Sequence, residues 1–172
     1  FNSSGVSWYL FAGLEGQARV DTDALLRARL FDLWVEDWDR HNKQWRWLRR
    51  EGRALFEPLP EDRDQAFSKF GGLLLSATRA THPKFMDWKD TYQNFEGWMT
   101  QGTEVDRWML SEMDRAAFEA TATDLVARLT DTVIDEAVSR LPPEWYAIRG
   151  KELAAALKKR RGGLVAAAMS SA

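Results

Sequence analysis

The sequence has no cysteine among its 172 residues, which excludes disulfide bonds and thiol chemistry. It has no apolar run near the roughly 18 residues that a membrane-spanning helix requires, and no signal-peptide pattern. It also lacks the basic excess of a general nucleic-acid binder, because 24 Lys and Arg face 26 Asp and Glu. These absences predict a domain without disulfide bonds, with no transmembrane segment in this chain and no nucleic-acid partner.

The length of 172 residues fits one domain with a real core. Nine Trp and nine Phe are many for that length, and we expect most of them in the core. The chain begins at Phe1 rather than Met, so we expect it to be part of a longer polypeptide. We expect residues 1–20 to form a lead-in, which could be the end of an N-terminal lobe, with at most a short strand or turn around Trp8 to Phe11. Residues 21–172 form the helical domain.

The first helix is predicted by a cap and by a periodic apolar face. Asp21 or Thr22 can cap it, and Asp23 suits the positive end of the helix dipole. The apolar positions follow helical spacing and predict one buried face: Leu26, Leu30, Leu33 and Trp34. This helix leads into an acidic stretch that starts at Asp37.

A β-hairpin is predicted between two acidic loops. Two strand-like runs, Trp45–Leu48 and 54–58, are separated by a charged linker that contains Gly52. Such a hairpin places Asp39 and Asp62 at its two ends, on the same side. Two loops far apart in sequence would then face one volume of solvent.

The second half of the chain is predicted to be mostly helical. Residues 71–103 carry many helix breakers, which predicts loops and short helical turns. Ser111 can cap a helix, and Thr130 can cap another that Pro142-Pro143 stops. The buried faces of these two helices are predicted at Phe118, Ala122, Leu125, Leu129, Ile134, Val138 and Leu141.

The last helix is predicted from about Lys151 to Arg161. Gly162-Gly163 should break or kink it before the apolar residues from Leu164 to Met169. The fold class is therefore mainly α, with one small β-hairpin.

The acidic loops have the spacing of a phosphoryl-transfer site. In the protein-kinase catalytic loop, an Asp that accepts the substrate proton stands five residues before a metal-binding amide, and a second Asp follows a hairpin. Asp39 and Gln44 have that spacing, and Asp62 or Asp64 follows the predicted hairpin. Mg²⁺ prefers such oxygen ligands. The neighbouring Arg40 and His41 could steady the loop or meet phosphate oxygens.

The same residues resemble a family. Asp37-Trp38-Asp39-Arg40-His41-x-x-Gln44 and Asp62-Arg63-Asp64-Gln65-Ala66-Phe67 are similar to the paired Asp-x-Asp-Arg-His-x-x-Asn and Asp-x-Asp-x-x-Phe motifs of HipA-like and CotH-like atypical kinases. Residues 21–172 more closely resemble an uncharacterised kinase-like region of large bacterial envelope proteins, which also carry metallophosphoesterase or outer-membrane surface-antigen parts. Its later motifs match Leu129-Thr130-Asp131, Leu141-Pro142-Pro143-Glu144 and Lys159-Arg160-Arg161.

The resemblance implies a kinase C-lobe-like helical domain that transfers phosphate from ATP with Mg²⁺ or Mn²⁺. It implies Asp39 as catalytic base, Gln44 as a metal ligand, and Asp62 or Asp64 as the principal metal ligand. Arg40 and His41 would contact the cofactor. The implied partners are the nucleotide, a phosphoacceptor and the rest of a larger polypeptide, and the implied location is the bacterial cell envelope.

The sequence departs from the family in several places. Gln replaces the usual Asn at position 44, and Glu36 stands where related sequences have a small residue. A Gly-rich phosphate loop and a strand Lys with its helix Glu partner are absent. Either the nucleotide-clamping lobe precedes this chain, or the region no longer binds ATP in the usual way.

Two other classes of function remain open. A metal-dependent phosphohydrolase would need an Asp/His cluster that activates water, drawn from Asp37, Asp39, His41, Asp62, Asp64 and His82. A pseudokinase or helical interaction module would keep the acidic loops for structure alone. In that case a salt bridge from Asp39 to Arg40 or Arg63 would order the loop.

Overall fold

The computed structural model describes residues 19–53, 55–69, 87–92 and 95–172. It contains five helices longer than one turn: α1 (Thr22–Val35), α2 (Phe95–Met109), α3 (Arg115–Arg128), α4 (Asp131–Ser139) and α5 (Lys151–Ser171). Its three strands are β1 (Arg19–Val20), β2 (Trp45–Leu48) and β3 (Leu55–Pro60). The mainly α fold with a small sheet is confirmed. The predicted strand around Trp8 to Phe11 and the residue His82 lie outside the described residues.

Helix α1 is the central element. Asp21 caps it, since its Oδ1 accepts a hydrogen bond from the Ala24 amide at 2.9 Å. The predicted apolar face is confirmed, and Arg29 and Asp32 are buried on the same helix. Packing explains this burial, because α1 contacts α3, α5 and β3. The indole Nε1 of Trp34 also donates to the Leu157 carbonyl of α5 at 3.1 Å.

The sheet has the strand order β1-β3-β2. Strands β2 and β3 are antiparallel, with Trp45 opposite Pro60 and Leu48 opposite Glu57, which confirms the predicted hairpin. Strand β1 pairs in parallel with the start of β3, and the sequence analysis did not predict it. Strand β1 therefore lies next to β3, on the side of the hairpin opposite β2, and immediately precedes α1.

Two prolines in β3 are accommodated because β1 is short. The Phe56 carbonyl faces β1 and accepts the Asp21 amide at 2.9 Å. The two-residue period of a strand places Pro58 and Pro60 toward that same side. Strand β1 has already given way to α1 there, so their missing N–H groups cost no hydrogen bond to it.

The structure corrects two boundaries in the second half. Residues 95–109 form helix α2, although the sequence indicated loops and short helical turns as far as residue 103. Helix α3 begins after Asp114 rather than Ser111, and the Asp114 carboxylate accepts the Ala117 amide at 2.8 Å. Asp114 caps the helix in place of Ser111 because the chain is still in a turn at Ser111. The prediction of Thr130 as the cap of α4 is confirmed.

The prediction that Gly162-Gly163 interrupts the last helix is wrong. Helix α5 runs unbroken from Lys151 to Ser171. Buried Leu157, Leu164 and Ala168 on both sides of the glycines hold it against the core, and this packing outweighs the low helix propensity of two glycines. No helix of the described segments is both long and apolar enough to cross a bilayer.

Candidate functional site

The two acidic loops lie side by side at the open end of the hairpin. The first runs from the end of α1 to β2, and the second follows β3. The Glu61 amide donates to the Gln44 carbonyl at 2.9 Å, which joins the second loop to the first. The Phe67 amide donates to the Val35 carbonyl at 3.2 Å, which returns the second loop to the end of α1.

Arg40 connects the two loops from below. Its side chain is fully buried and contacts Asp32 through Nε at 2.9 Å and through Nη2 at 3.3 Å. Nη2 also donates to Asp37. Nη1 donates to the backbone carbonyl of Gln44 at 3.3 Å and to that of Glu61. Each nitrogen of this guanidinium therefore has a protein acceptor, which favours the loop-steadying role over contact with phosphate.

Asp32 is the centre of a buried ionic cluster. Besides Arg40, it receives Arg63 Nε at 3.1 Å and lies 3.6 Å from Arg29 Nη1. Arg29 makes a two-pronged pair with Asp106, with Nε and Nη2 each 2.8 Å from a carboxylate oxygen. Arg40 pairs with Asp32 and Asp37, and Arg63 pairs with Asp32. The sequence had suggested Asp39 as the partner of Arg40 or Arg63. Because each cation faces an anion, the cluster can remain charged away from water.

The charges of the cluster are reflected in the pKa values of its members. Burial raises the pKa of Asp37 to about 6, although the positive charge of Arg40 opposes that rise. Burial alone would lower the pKa of Arg29, but the charge and hydrogen bonds of Asp106, together with the charges of Asp32 and Asp37, outweigh it and raise the pKa. Gly102 makes this pair sterically feasible, since a Cβ there would lie 2.4 Å from Arg29 Nη2.

Helix α2 lies beside the first acidic loop. Asp39 is partly exposed, and its Oδ1 accepts a hydrogen bond from Gln101 Nε2 at 3.2 Å. Asn42 Nδ2 donates to Glu104 Oε2 at 2.8 Å. The sequence analysis did not identify Gln101 or Glu104 because it predicted loops in this region. Their spacing of three residues, which puts two side chains on one helix face, was the available signal.

The remaining predicted site residues occupy the loop surfaces. His41 caps the 3₁₀ turn Asn42–Gln44, because its Nδ1 accepts the Lys43 amide at 3.2 Å. Asp62 and Asp64 are both exposed, and Asp62 Oδ1 accepts the Asp64 amide at 3.1 Å. Asp62 has a left-handed backbone with φ of 51°, a conformation that Asp tolerates better than most residues do. This turn presents both carboxylates to solvent.

The metal ligands implied by the sequence fit an open site rather than a closed cage. Within the described segments, no three Asp, Glu or His side chains cluster closely enough to hold a metal ion. Asp62 and Asp64 can still supply one or two carboxylates, and Gln44 precedes the strand beside them. Protein-bound Mg²⁺ commonly keeps several waters and takes its other ligands from substrate phosphates. The donor set is therefore compatible with a metal that binds together with a nucleotide.

Glu36 fixes the point where α1 ends and the first loop begins. It is buried, has a left-handed backbone with φ of 58°, and accepts the Lys89 amide at 3.2 Å. Its Oε2 also lies 3.4 Å from Arg160 Nη1. Burial raises the pKa of Glu36 to about 7, against the opposing charge of Arg160. These contacts fix the large acidic side chain of Glu36 at the end of α1.

No family model, curated protein or solved structure matches this chain. The chemistry of the loops must therefore be argued from their geometry.

Proposed function

We propose that this chain is the helical lobe of an atypical kinase-like phosphotransferase, and that it transfers phosphate from a nucleotide with Mg²⁺ or Mn²⁺. One observation carries the proposal. Arg40 donates to backbone carbonyls of both acidic loops, at Gln44 and Glu61, which keeps the two loops adjacent. Asp39 on one loop and Asp62 and Asp64 on the other would therefore share one surface region.

Asp39 is the proposed catalytic base. Gln101 holds its Oδ1, and no hydrogen bond to Oδ2 occurs within the described part of the chain, so that oxygen can accept the proton of a substrate hydroxyl. Asp62 and Asp64 would hold the metal with the Gln44 side chain, and His41 keeps its 3₁₀ turn in place. The metal, when bound, would neutralise charge on the transferred phosphoryl group. The nucleotide-clamping lobe would come from the rest of a larger, envelope-associated polypeptide.

The test uses a polypeptide extended at its N-terminus. We expect Mg²⁺ or Mn²⁺ with ATP to raise its melting temperature, and radiolabelled ATP to label an acceptor. Asp39→Asn should abolish the transfer, while Asp124→Asn, at a carboxylate of α3 that pairs with Arg128, should leave it unchanged. Full transfer by Asp39→Asn would reject Asp39 as the base.

A non-catalytic helical interaction module is the second candidate. It is favoured by the burial of Asp32, Asp37 and Arg40, which pair with one another and make the acidic stretch structural. The melting experiment with metal and ATP distinguishes the two candidates. No effect of metal and nucleotide on the extended polypeptide would support the module. Metal-dependent release of phosphate from p-nitrophenyl phosphate without ATP would instead support the hydrolase.

A further inference from the structure

We infer that Asp32 is a positioning residue of the candidate site. Its buried carboxylate sets the arrangement of the two acidic loops. Its role in metal binding rests on the proposed function. Its role in coupling the loops does not, and can be measured without any ligand.

Both acidic motifs contain an arginine that turns inward to this carboxylate. Arg40 follows Asp39 in the first loop, and Arg63 stands between Asp62 and Asp64 in the second. Arg40 Nε donates to Asp32 Oδ2 at 2.9 Å, and Arg63 Nε donates to Asp32 Oδ1 at 3.1 Å. Arg40 Nη2 also donates to Oδ1 at 3.3 Å, so both loops contact one carboxylate and share its Oδ1.

The inward arginines determine where the neighbouring carboxylates point. Arg40 is fully buried while the adjacent Asp39 is partly exposed. In the second loop the Arg63 side chain is 34% exposed, and Asp62 and Asp64 on either side of it are exposed. Anchoring the arginines below the loops therefore leaves the acidic residues at the surface.

An ionised carboxylate is needed for this double contact. It offers two acceptor oxygens, whereas an asparagine of the same shape offers one acceptor and one donor group. Asn at position 32 would keep one acceptor oxygen and, in either orientation, would direct an amide N–H at an arginine donor. It would also remove the negative charge opposite the fully buried Arg40, and an unpaired buried charge is strongly unfavourable.

The experiment compares Asp32→Asn and Arg63→Gln with Asp106→Asn in the full chain. Asp106→Asn disturbs a carboxylate–guanidinium pair of the same cluster that contacts neither loop. The first readout is hydrogen exchange of the Glu61 amide, which bonds to Gln44 across the two loops. The second is Mn²⁺ affinity by electron paramagnetic resonance. Arg63→Gln is included because Arg63 is partly exposed and its loss should leave the chain folded.

We expect Asp32→Asn and Arg63→Gln to increase exchange of the Glu61 amide at least about tenfold and to weaken Mn²⁺ binding severalfold. Arg63→Lys should restore part of both effects, since it retains a charged donor. Asp106→Asn should lower the melting temperature without a selective change in either readout.

Unchanged exchange at Glu61 in a folded Asp32→Asn protein overturns the inference, and Arg63→Gln decides it if Asp32→Asn does not fold. If the parent chain binds no Mn²⁺, the metal site fails, while the exchange data still decide the coupling.

Discussion

Arg160 and Tyr92 hold each other in place. The guanidinium carbon of Arg160 lies 4.2 Å from the centroid of the Tyr92 ring, and the Tyr92 hydroxyl donates to the Arg160 carbonyl at 2.9 Å. The same guanidinium donates to the carbonyls of Leu33 and Trp34 at 2.7 Å each. Arg160 therefore satisfies two of the last carbonyls of α1, from which the first acidic loop departs.

Arg160→Met should reduce the free energy of unfolding by about 3 to 5 kcal/mol, because it leaves the Leu33 and Trp34 carbonyls and the Glu36 carboxylate without their buried partner. Urea denaturation followed by circular dichroism measures the change. Lys159→Met is the matched control, since Lys159 pairs with Asp90 at the exposed surface and its loss should change little. Equal effects of the two substitutions would contradict a capping role for Arg160.

Local signals predicted the fold where they were present. The cap at Asp21, the apolar period of α1 and the Thr130 cap are all carried by residues close in sequence, and all three were confirmed. Strand β1 was not predicted because two residues have no period, and its pairing with β3 depends on residues 36 positions away. The continuity of α5 likewise depends on distant contacts that outweigh two glycines.

The sequence predicted the two acidic loops of the candidate site, but it did not predict the buried contacts that join them. Asp39, Asp62 and Asp64 were proposed as site residues from their spacing. Asp32 was not, because a polar residue within an amphipathic helix usually indicates the solvated face. Only the packing of α1 on several sides shows that this position is fully buried. The partners of Arg40 and Arg63 could not be assigned from sequence for the same reason.

Gly162→Ala should stabilise the protein by about 0.5 to 1 kcal/mol, whereas Gly163→Ala should gain less or lose stability. A Cβ at Gly162 would meet no atom within 4 Å, so only the helix propensity changes. A Cβ at Gly163 would lie 3.3 Å from the Tyr92 ring, which Arg160 holds in place. Thermal unfolding of the two variants measures the difference, and equal stabilisation would show that Tyr92 moves freely.

Gln101→Met should lower phosphate transfer roughly ten- to hundredfold if Asp39 is the base, because a hydrogen bond to a charged group contributes about 1.5 to 3 kcal/mol. The Gln101 amide holds Asp39 Oδ1 at 3.2 Å, and methionine keeps the volume without the donor. Steady-state kinetics on the extended polypeptide measure the effect. Glu104→Gln is the control, since it preserves an acceptor for Asn42 and does not contact Asp39. Equal rates in parent and Gln101→Met would remove Gln101 from the site.

Glu36 should make the protein less stable as the pH rises through neutrality. Burial raises its pKa from the ordinary 4.5 to about 7 in the folded state. Between these values the folded chain binds a proton that the unfolded chain has lost, so its contribution to stability is complete below 4.5 and is lost as the pH passes 7. The loss attributable to Glu36 is about 3 kcal/mol. Asp37, whose pKa is also raised, makes the free energy of unfolding fall with pH in the same direction.

Urea denaturation at pH 5, 6, 7 and 8 measures this free energy. It should decline more steeply with pH in the parent than in Glu36→Gln, which keeps only the contribution of Asp37. Parallel curves would mean that Glu36 is ionised throughout this range.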